Sequence, residues 1–261
     1  MLKGKSIVVI GGTTGIGLSA TRSFIEQGAH VVAVGRDEDN VEKVKNEFGS
    51  SVFSFAGDAI NPETAVEAIH KCQQQFKSFD GLYHVAGGSG RKYGDGPLHE
   101  LTLEGWNKTM ELNLTSVMLS NQAATRVFLE SGQGGSILNM ASVLGFSPSP
   151  VHFSTHAYAA AKAGIIGFSK SIAAYYAKNN IRVNVIAPSL VQTPMAKRAK
   201  DDQQIQHFIK TKQPLDGGRI AEPSDMDGMA IYFMSNHSKF TTGQVVAIDG
   251  GWSISEGQYG Q

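Results

Sequence analysis

Tyr158 and Lys162 stand four residues apart in Tyr158-Ala159-Ala160-Ala161-Lys162, a spacing that on a helix points both side chains from one face. A phenol with its ordinary pKa of about 10 is a poor proton acceptor near neutrality. An ammonium beside it stabilises the phenolate, so the spacing predicts a depressed phenol, each unit being worth about 1.4 kcal/mol. Such a group gives a proton to a carbonyl oxygen or takes one from an alcohol. Standing alone, the pair reads better as an ordinary amphipathic helix pair. Upstream, Gly135 to Ser142 reads as a strand that ends in a hydroxyl. At that end of an open parallel sheet, where ligands bind, Ser142 can orient and polarise a carbonyl. The plain alternative is a serine that starts a turn. Asn113 falls inside an apolar helical pattern, where asparagine is unfavourable by propensity. It holds a water or a backbone carbonyl there, or it marks a kink.

A second constellation is Gly11-Gly12-Thr13-Thr14-Gly15-Ile16-Gly17. It follows a short apolar strand and opens a helix. Glycines there let the backbone turn sharply and approach a pyrophosphate, to which the helix N-terminus offers free N–H groups. The bland alternative is a tight turn without a ligand. Gly90, Gly94 and Gly96 repeat the spacing but run into Pro97, and read as a flexible loop. Gly35 closes the second strand, where an acid often holds the adenosine ribose; here it is followed by Arg36. A carboxylate repels a 2′-phosphate and a guanidinium grips one, which favours NADP(H) over NAD(H). Asp37 and Asp39 leave open a neutralised, solvated Arg36.

These residues need a frame. Seven strand candidates run from Ser6 to Ile10, His30 to Val34, Ser51 to Phe55, Gly81 to Val85, Ser136 to Met140, Ile181 to Ile186 and Gln244 to Ile248. Helical spacing covers Gly15 to Gln27, Val41 to Phe48, Pro62 to Phe76, Leu103 to Leu129, Tyr158 to Ala177 and Pro223 to Met234. The alternation predicts a parallel sheet with helices on both faces, in one domain spanning 1–261. Ala196 to Lys212 reads as a charged, loose segment. The 261 residues carry 23 basic and 23 acidic side chains. That balance argues against nucleic-acid binding through a basic field. The one cysteine, Cys72, can form neither an intrachain disulfide nor a cysteine-built zinc site, and no metal is expected. The longest apolar run near the start is too short for a signal segment or a membrane span, so a soluble, cytoplasmic protein is expected.

Taken together, the motifs resemble those of the short-chain dehydrogenase/reductase family, over essentially the whole chain. The family's glycine motif matches Gly11, Gly15 and Gly17, and its Asn-Ser-Tyr-Lys tetrad matches Asn113, Ser142, Tyr158 and Lys162. Asp58 and Ala59 match its adenine-side pair, and Pro188 to Thr193 resembles its nicotinamide carboxamide segment. The resemblance implies a Rossmann-type, doubly wound, seven-stranded, three-layer α/β/α fold. It implies a cofactor site formed by Gly11, Thr13, Thr14, Gly15, Ile16 and Gly17, by Gly35, Arg36, Asp58 and Ala59, by Ala86 and Gly87, and by Pro188, Val191 and Thr193. Tyr158 then exchanges a proton with the substrate, and Lys162 lowers its pKa and binds the nicotinamide ribose. Ser142 holds the substrate oxygen, and Asn113 positions a water that links Lys162 to solvent. The implied activity is NADP(H)-dependent interconversion of a small-molecule carbonyl and a secondary alcohol. The alternatives are an NAD(H)-dependent dehydrogenase, a 3-ketoacyl carrier-protein or CoA reductase, and, remotely, a dinucleotide-binding protein without catalysis. An enoyl reductase is less expected, because those relatives space the tyrosine and lysine more widely.

Several positions depart from the family. His84-Val85-Ala86-Gly87 replaces Asn-Asn-Ala-Gly, which removes the asparagine that braces the central sheet; His84 reads as a packed residue rather than a base. Ser189 replaces a glycine. The segment between Ser142 and Tyr158 is long, and its Phe146, His152, Phe153 and His156 are candidate pocket residues. Gly88 to Pro97 and Ala196 to Lys212 are expected to close over the substrate. A homotetramer or homodimer is expected, consistent with the long Leu103 to Leu129 helix and with Trp252, which would otherwise be exposed.

Overall fold

The computed structural model describes residues 1–257; the last residues of the expected 1–261 unit lie outside the described residues. Its sheet comprises β1 (Ser6–Ile10), β2 (His30–Gly35), β3 (Val52–Ala56), β4 (Gly81–His84), β5 (Gly135–Met140), β6 (Ile181–Pro188) and β7 (Val245–Ile248). The order is β3-β2-β1-β4-β5-β6-β7, and every pairing is parallel. The winding reverses between β1 and β4, which opens a crevice at the C-terminal strand ends. This is the seven-stranded, Rossmann-like arrangement expected.

The helices are α1 (Gly15–Glu26), α2 (Glu38–Phe48), α3 (Pro62–Phe76), α4 (Leu103–Met110), α5 (Ser116–Ser131), α6 (His156–Tyr176), α7 (Lys197–Asp201), α8 (Gln203–Lys212) and α9 (Asp227–Met234). Because successive strand residues point to opposite faces, β1 feeds two cores. Ile7 and Val9 pack with Phe24 of α1, Val44 of α2 and Phe233 of α9. Val8 and Ile10 pack with Ile69 of α3, Phe128 of α5 and Ala173 of α6. Helices therefore cover both faces, giving three layers.

Local chemistry fixes the helix starts. The Asp37 side chain accepts from Asn40 N at 2.9 Å, so α2 begins before Val41, ahead of the apolar stripe. Asn61 caps α3 and Pro62 occupies its first turn. The long helix expected over Leu103 to Leu129 is interrupted: Glu111–Thr115 forms a π-helical turn between α4 and α5.

Two expectations are corrected. Ala196 to Lys212 is largely helical: Asp202 caps α8 by accepting from Gln204 N and Ile205 N at 2.9 and 3.1 Å, and Ile205 and Ile209, one turn apart, are buried. They pack with Trp252, which is 1 % exposed and meets Phe153 and Phe208 edge-on. Trp252 is thus accounted for within the chain and is no argument for a subunit interface.

Candidate active site

A cavity of about 640 Å³ follows the crevice across the C-terminal ends of β1, β2, β4, β5 and β6. At one end, Gly11 and Gly12 both donate to Val34 O at 2.9 Å, turning the chain sharply after β1. Gly11 has φ 88°, and a Cβ on it would lie 2.7 Å from Ala86 N. Gly15, at φ 53°, faces Thr193 in the same way. α1 starts at Thr14 without a side-chain cap and without an acid in its first turn. Leu18 N bonds Thr14 O at 3.1 Å, which leaves the preceding amides to the cavity.

Thr13, Thr14, Gly15 and Ile16 line the wall, as do Gly11, Gly35, Arg36, Asp58, Ala59, Ala86 and Gly87; Pro188, Val191 and Thr193 line it on the β6 side. Gly17 does not. It lies behind the loop, where a Cβ would sit 1.9 Å from Gly11 O, so its place is in loop-to-helix packing. A Cβ on Gly35 would lie 1.9 Å from Thr13 Oγ1 and 2.8 Å from Thr13 Cβ, so no acid fits at position 35 without moving Thr13. Asp37 is committed to capping α2, and Arg36 forms no ion pair among the described residues.

At the other end, all four tetrad side chains line the same cavity. Ser142 follows β5 and accepts from Leu144 N at 3.2 Å, so it starts a turn and also faces the site. Lys162, 3 % exposed, donates to Met140 O at 2.9 Å, with Nζ 5.5 Å from the Tyr158 ring centroid. Asn113 sits on the π turn. Its Nδ2 donates to Gly88 O and Thr109 O, both at 2.9 Å, and its Oδ1 accepts from Gly88 N at 3.3 Å. Asn113 therefore clamps the turn after β4 to the helix. A Cβ on Gly87 would lie 2.8 Å from Asn113 Oδ1 and 3.6 Å from Lys162 Nζ, so only glycine admits both groups there.

The electrostatics correct one expectation. Burial pushes the Tyr158 phenol up to about 12, against the opposing effect of its hydrogen bond with Ser142. Burial also pulls Lys162 down to about 8. The depression of the phenol predicted from spacing is not what the fold produces: burial moves both groups toward their neutral forms.

His84 is packed, as expected. Its pKa falls to about 3, through burial first and the Lys162 charge second, so the ring is neutral. Nε2–H donates to Ala86 O at 3.1 Å, which leaves Nδ1 to accept from Ser120 at 2.7 Å. His84 thereby ties β4 to α5. Of the candidate pocket residues, Phe153 lines the cavity; Phe146 and His156 are exposed, and His152 meets the Phe208 ring at a tilt, with centroids 4.8 Å apart.

Sequence reasoning missed Asp95. Buried at 4 % exposure, it accepts from Ala157 N and Tyr158 N, each at 3.0 Å, and caps α6 at the turn that carries the tyrosine. The surrounding glycines belong to a packed turn rather than a loose loop: a Cβ on Gly90 would lie 1.6 Å from Thr109 Oγ1. Sequence reasoning also left Arg91, Lys92 and Tyr93 unassigned, and all three line the cavity. The Ser189 hydroxyl, buried in the wall, has no partner among the described residues.

An uncapped helix end, glycines at close backbone contact and an orphaned buried hydroxyl suit an elongated ligand with anionic and polar groups, which is what a nicotinamide dinucleotide offers. Comparison with known proteins agrees. A family model described as "Enoyl-(Acyl carrier protein) reductase" matches residues 11–253. The chain belongs to the short-chain dehydrogenase/reductase family, whose members bind a nicotinamide dinucleotide, and is an oxidoreductase acting on CH–OH groups. It is 31 % identical over 253 residues to 2,5-dichloro-2,5-cyclohexadiene-1,4-diol dehydrogenase of Sphingobium indicum, covering 97 % of this chain and 98 % of that one. It is 32 % identical over 256 residues to the NADP-dependent (R)-specific alcohol dehydrogenase of Lentilactobacillus kefiri, with 97 % and 98 % covered. A solved short-chain type dehydrogenase/reductase from Mycobacterium ulcerans superposes with TM-score 0.88 at 26 % identity, covering 98 % of this chain and 92 % of that one. Among the described residues no helix is long and apolar enough to cross a membrane, and no group of His, Cys, Asp or Glu could hold a metal ion.

Proposed function

We propose that the chain is an NADP(H)-dependent reductase of small-molecule ketones, working reversibly on secondary alcohols, with Tyr158 as general acid and base. The observation that carries this reading is the convergence of Tyr158, Ser142 and Lys162 in the cavity whose far end is the glycine turn. The first-turn amides of α1 would hold the pyrophosphate. Arg36, free of ion pairs among the described residues, would hold a 2′-phosphate, and Asp58 the adenine end. Pro188, Val191 and Thr193 would hold the carboxamide, and Lys162 the nicotinamide ribose. When bound, the dinucleotide supplies the hydride for the carbonyl carbon, or accepts it from the alcohol.

The chain's own residues handle the proton. A phenol pushed up to about 12 keeps its proton at neutral pH and stands ready to give it to the carbonyl oxygen. Ser142, bonded to the same phenol, aims a donor at that oxygen. Asn113 fixes the Gly88 turn beside Lys162 and would order a water through which the proton is replaced. Binding and chemistry reside in one unit. We assign a cytoplasmic homotetramer or homodimer, for which Leu103, Leu129 and Tyr175 offer exposed apolar surface on α4, α5 and α6.

Tyr158→Phe tests the reading: kcat is expected to fall by about 10²- to 10⁴-fold while NADPH still binds, as followed by its fluorescence. Retained turnover would overturn it.

A further inference from the structure

Two arginines from different elements also line the cavity. Arg91 belongs to the turn Arg91–Tyr93 after β4 and Arg198 to α7, and both line the cavity, as does Lys92. The two guanidiniums feel each other. Arg91 is held below the usual arginine range by burial first and by the charge of Arg198 second, with Asp95 opposing. Neither arginine forms an ion pair among the described residues. Arg198 donates only to the His152 carbonyl, at 3.2 Å, and lies 6.0 Å from the Phe153 ring centroid. Both Asp95 carboxylate oxygens are engaged by the first amides of α6. Among the described residues the one acidic residue on the cavity wall is Asp58, which follows β3. The same wall carries the apolar side chains of Leu144, Phe153, Met195 and Trp252.

Two guanidiniums beside the single carboxylate of Asp95 leave unbalanced positive charge there, which is unfavourable, and planar guanidiniums match the geometry of a carboxylate. We propose that Arg91 and Arg198 form a carboxylate-binding subsite, so that the substrate is a keto or hydroxy acid with an apolar skeleton. This rests on the reading of Tyr158 and Ser142 as the groups that face the reacting oxygen. Because the arginines line the cavity itself, the anion they recognise belongs to the small substrate. An acidic carrier protein docked outside is the rival occupant.

The test compares 4-oxocyclohexanecarboxylate with its methyl ester as substrates, with NADPH, in the wild type and in Arg91→Gln and Arg198→Gln. Charge-assisted hydrogen bonds of ordinary strength predict a kcat/KM for the acid about tenfold or more above that of the ester in the wild type. In each variant that ratio is expected to fall by about tenfold. Calorimetry with cyclohexanecarboxylate and cyclohexanemethanol on the NADP-loaded protein gives a readout independent of turnover. Acid binding that exceeds alcohol binding and weakens in Arg91→Gln supports the subsite even if neither ketone reacts, a result that would instead count against the catalytic reading. Equal treatment of acid and ester, unchanged ratios in both variants, or an effect seen only with a carrier-protein-linked ketoacyl group would each overturn the proposal.

Discussion

Asp95 supplies what α6 cannot make for itself. The residue before the helix, Thr155, forms no side-chain cap, and the carboxylate arrives from a turn 62 residues upstream to accept from two first-turn amides. Asp95→Ala leaves both donors without their acceptor, one buried and one partly so. A helix cap is ordinarily worth about 0.5–2 kcal/mol, and an orphaned buried donor costs about 1–3 kcal/mol. Allowing for partial relaxation, the loss is about 2–4 kcal/mol, which in a chain of this size lowers Tm by about 5–15 °C. Asp95→Asn keeps one acceptor oxygen and loses roughly half as much. Because one of the two amides is that of Tyr158 itself, loosening the turn shifts the phenol relative to Ser142. A displacement near 1 Å predicts a fall in kcat of about tenfold to a hundredfold, with NADPH affinity retained because the glycine turn is untouched. Thermal melts, fluorescence titration with NADPH and steady-state rates on the same preparations separate the two effects. If Asp95→Ala melted within about 1 °C of the wild type and turned over normally, the cap would not be what positions Tyr158.

Two further outcomes follow from the site. Arg36→Ala is expected to weaken NADPH binding by about tenfold or more while leaving NADH binding nearly unchanged, measured by paired titrations; equal losses for both would place Arg36 elsewhere in recognition. Lys162→Met is expected to abolish useful turnover and yet raise Tm at pH 7. The fold holds this lysine at about 8 against its ordinary 10.5, a cost of roughly 3 kcal/mol in its charged form, partly offset by the bond to Met140 O. The sign with pH is fixed. Between about 8 and 10.5 the unfolded chain binds more protons than the native one, so the wild type gains stability there and the variant's advantage shrinks to nothing. A variant less stable at pH 7, or a gap that widened with pH, would contradict the burial cost.

The sheet and the shared face of Tyr158 and Lys162 were legible because their signals are local. Alternation of apolar runs with helical spacing is readable within a dozen residues, and Tyr158 and Lys162 share a helix face by spacing alone. What escaped was set by contacts distant in sequence. Nothing near Asp95 hints that it caps α6, and nothing near Trp252 hints that Ile205 and Ile209 cover it. α8 was hidden because charge obscured one apolar pair, although Asp202 at its start was a visible cap signal. The spacing treats all three glycines alike, whereas the side-chain direction of Gly17 meets Gly11 rather than the cavity. The absence of an acid at position 35 was read correctly, but its steric cause, Thr13 pressed against Gly35, exists only in three dimensions.

The acidity of Tyr158 illustrates why proximity alone is a poor guide to charge. Sequence spacing supplies the attraction between ammonium and phenolate, and that term favours ionisation. Folding adds a second term that acts on each partner separately, since burial disfavours the phenolate and the ammonium alike. Here burial decides, as both groups are pushed toward their neutral forms. A protonated phenol backed by Ser142 is a good donor and a reluctant acceptor. Under the proposed mechanism, reduction of a carbonyl needs no prior ionisation at this site, whereas alcohol oxidation starts from the ionised phenol. On that mechanism the same burial predicts an alcohol-oxidation rate that rises with pH more steeply than the carbonyl-reduction rate, as checked by paired pH–rate profiles.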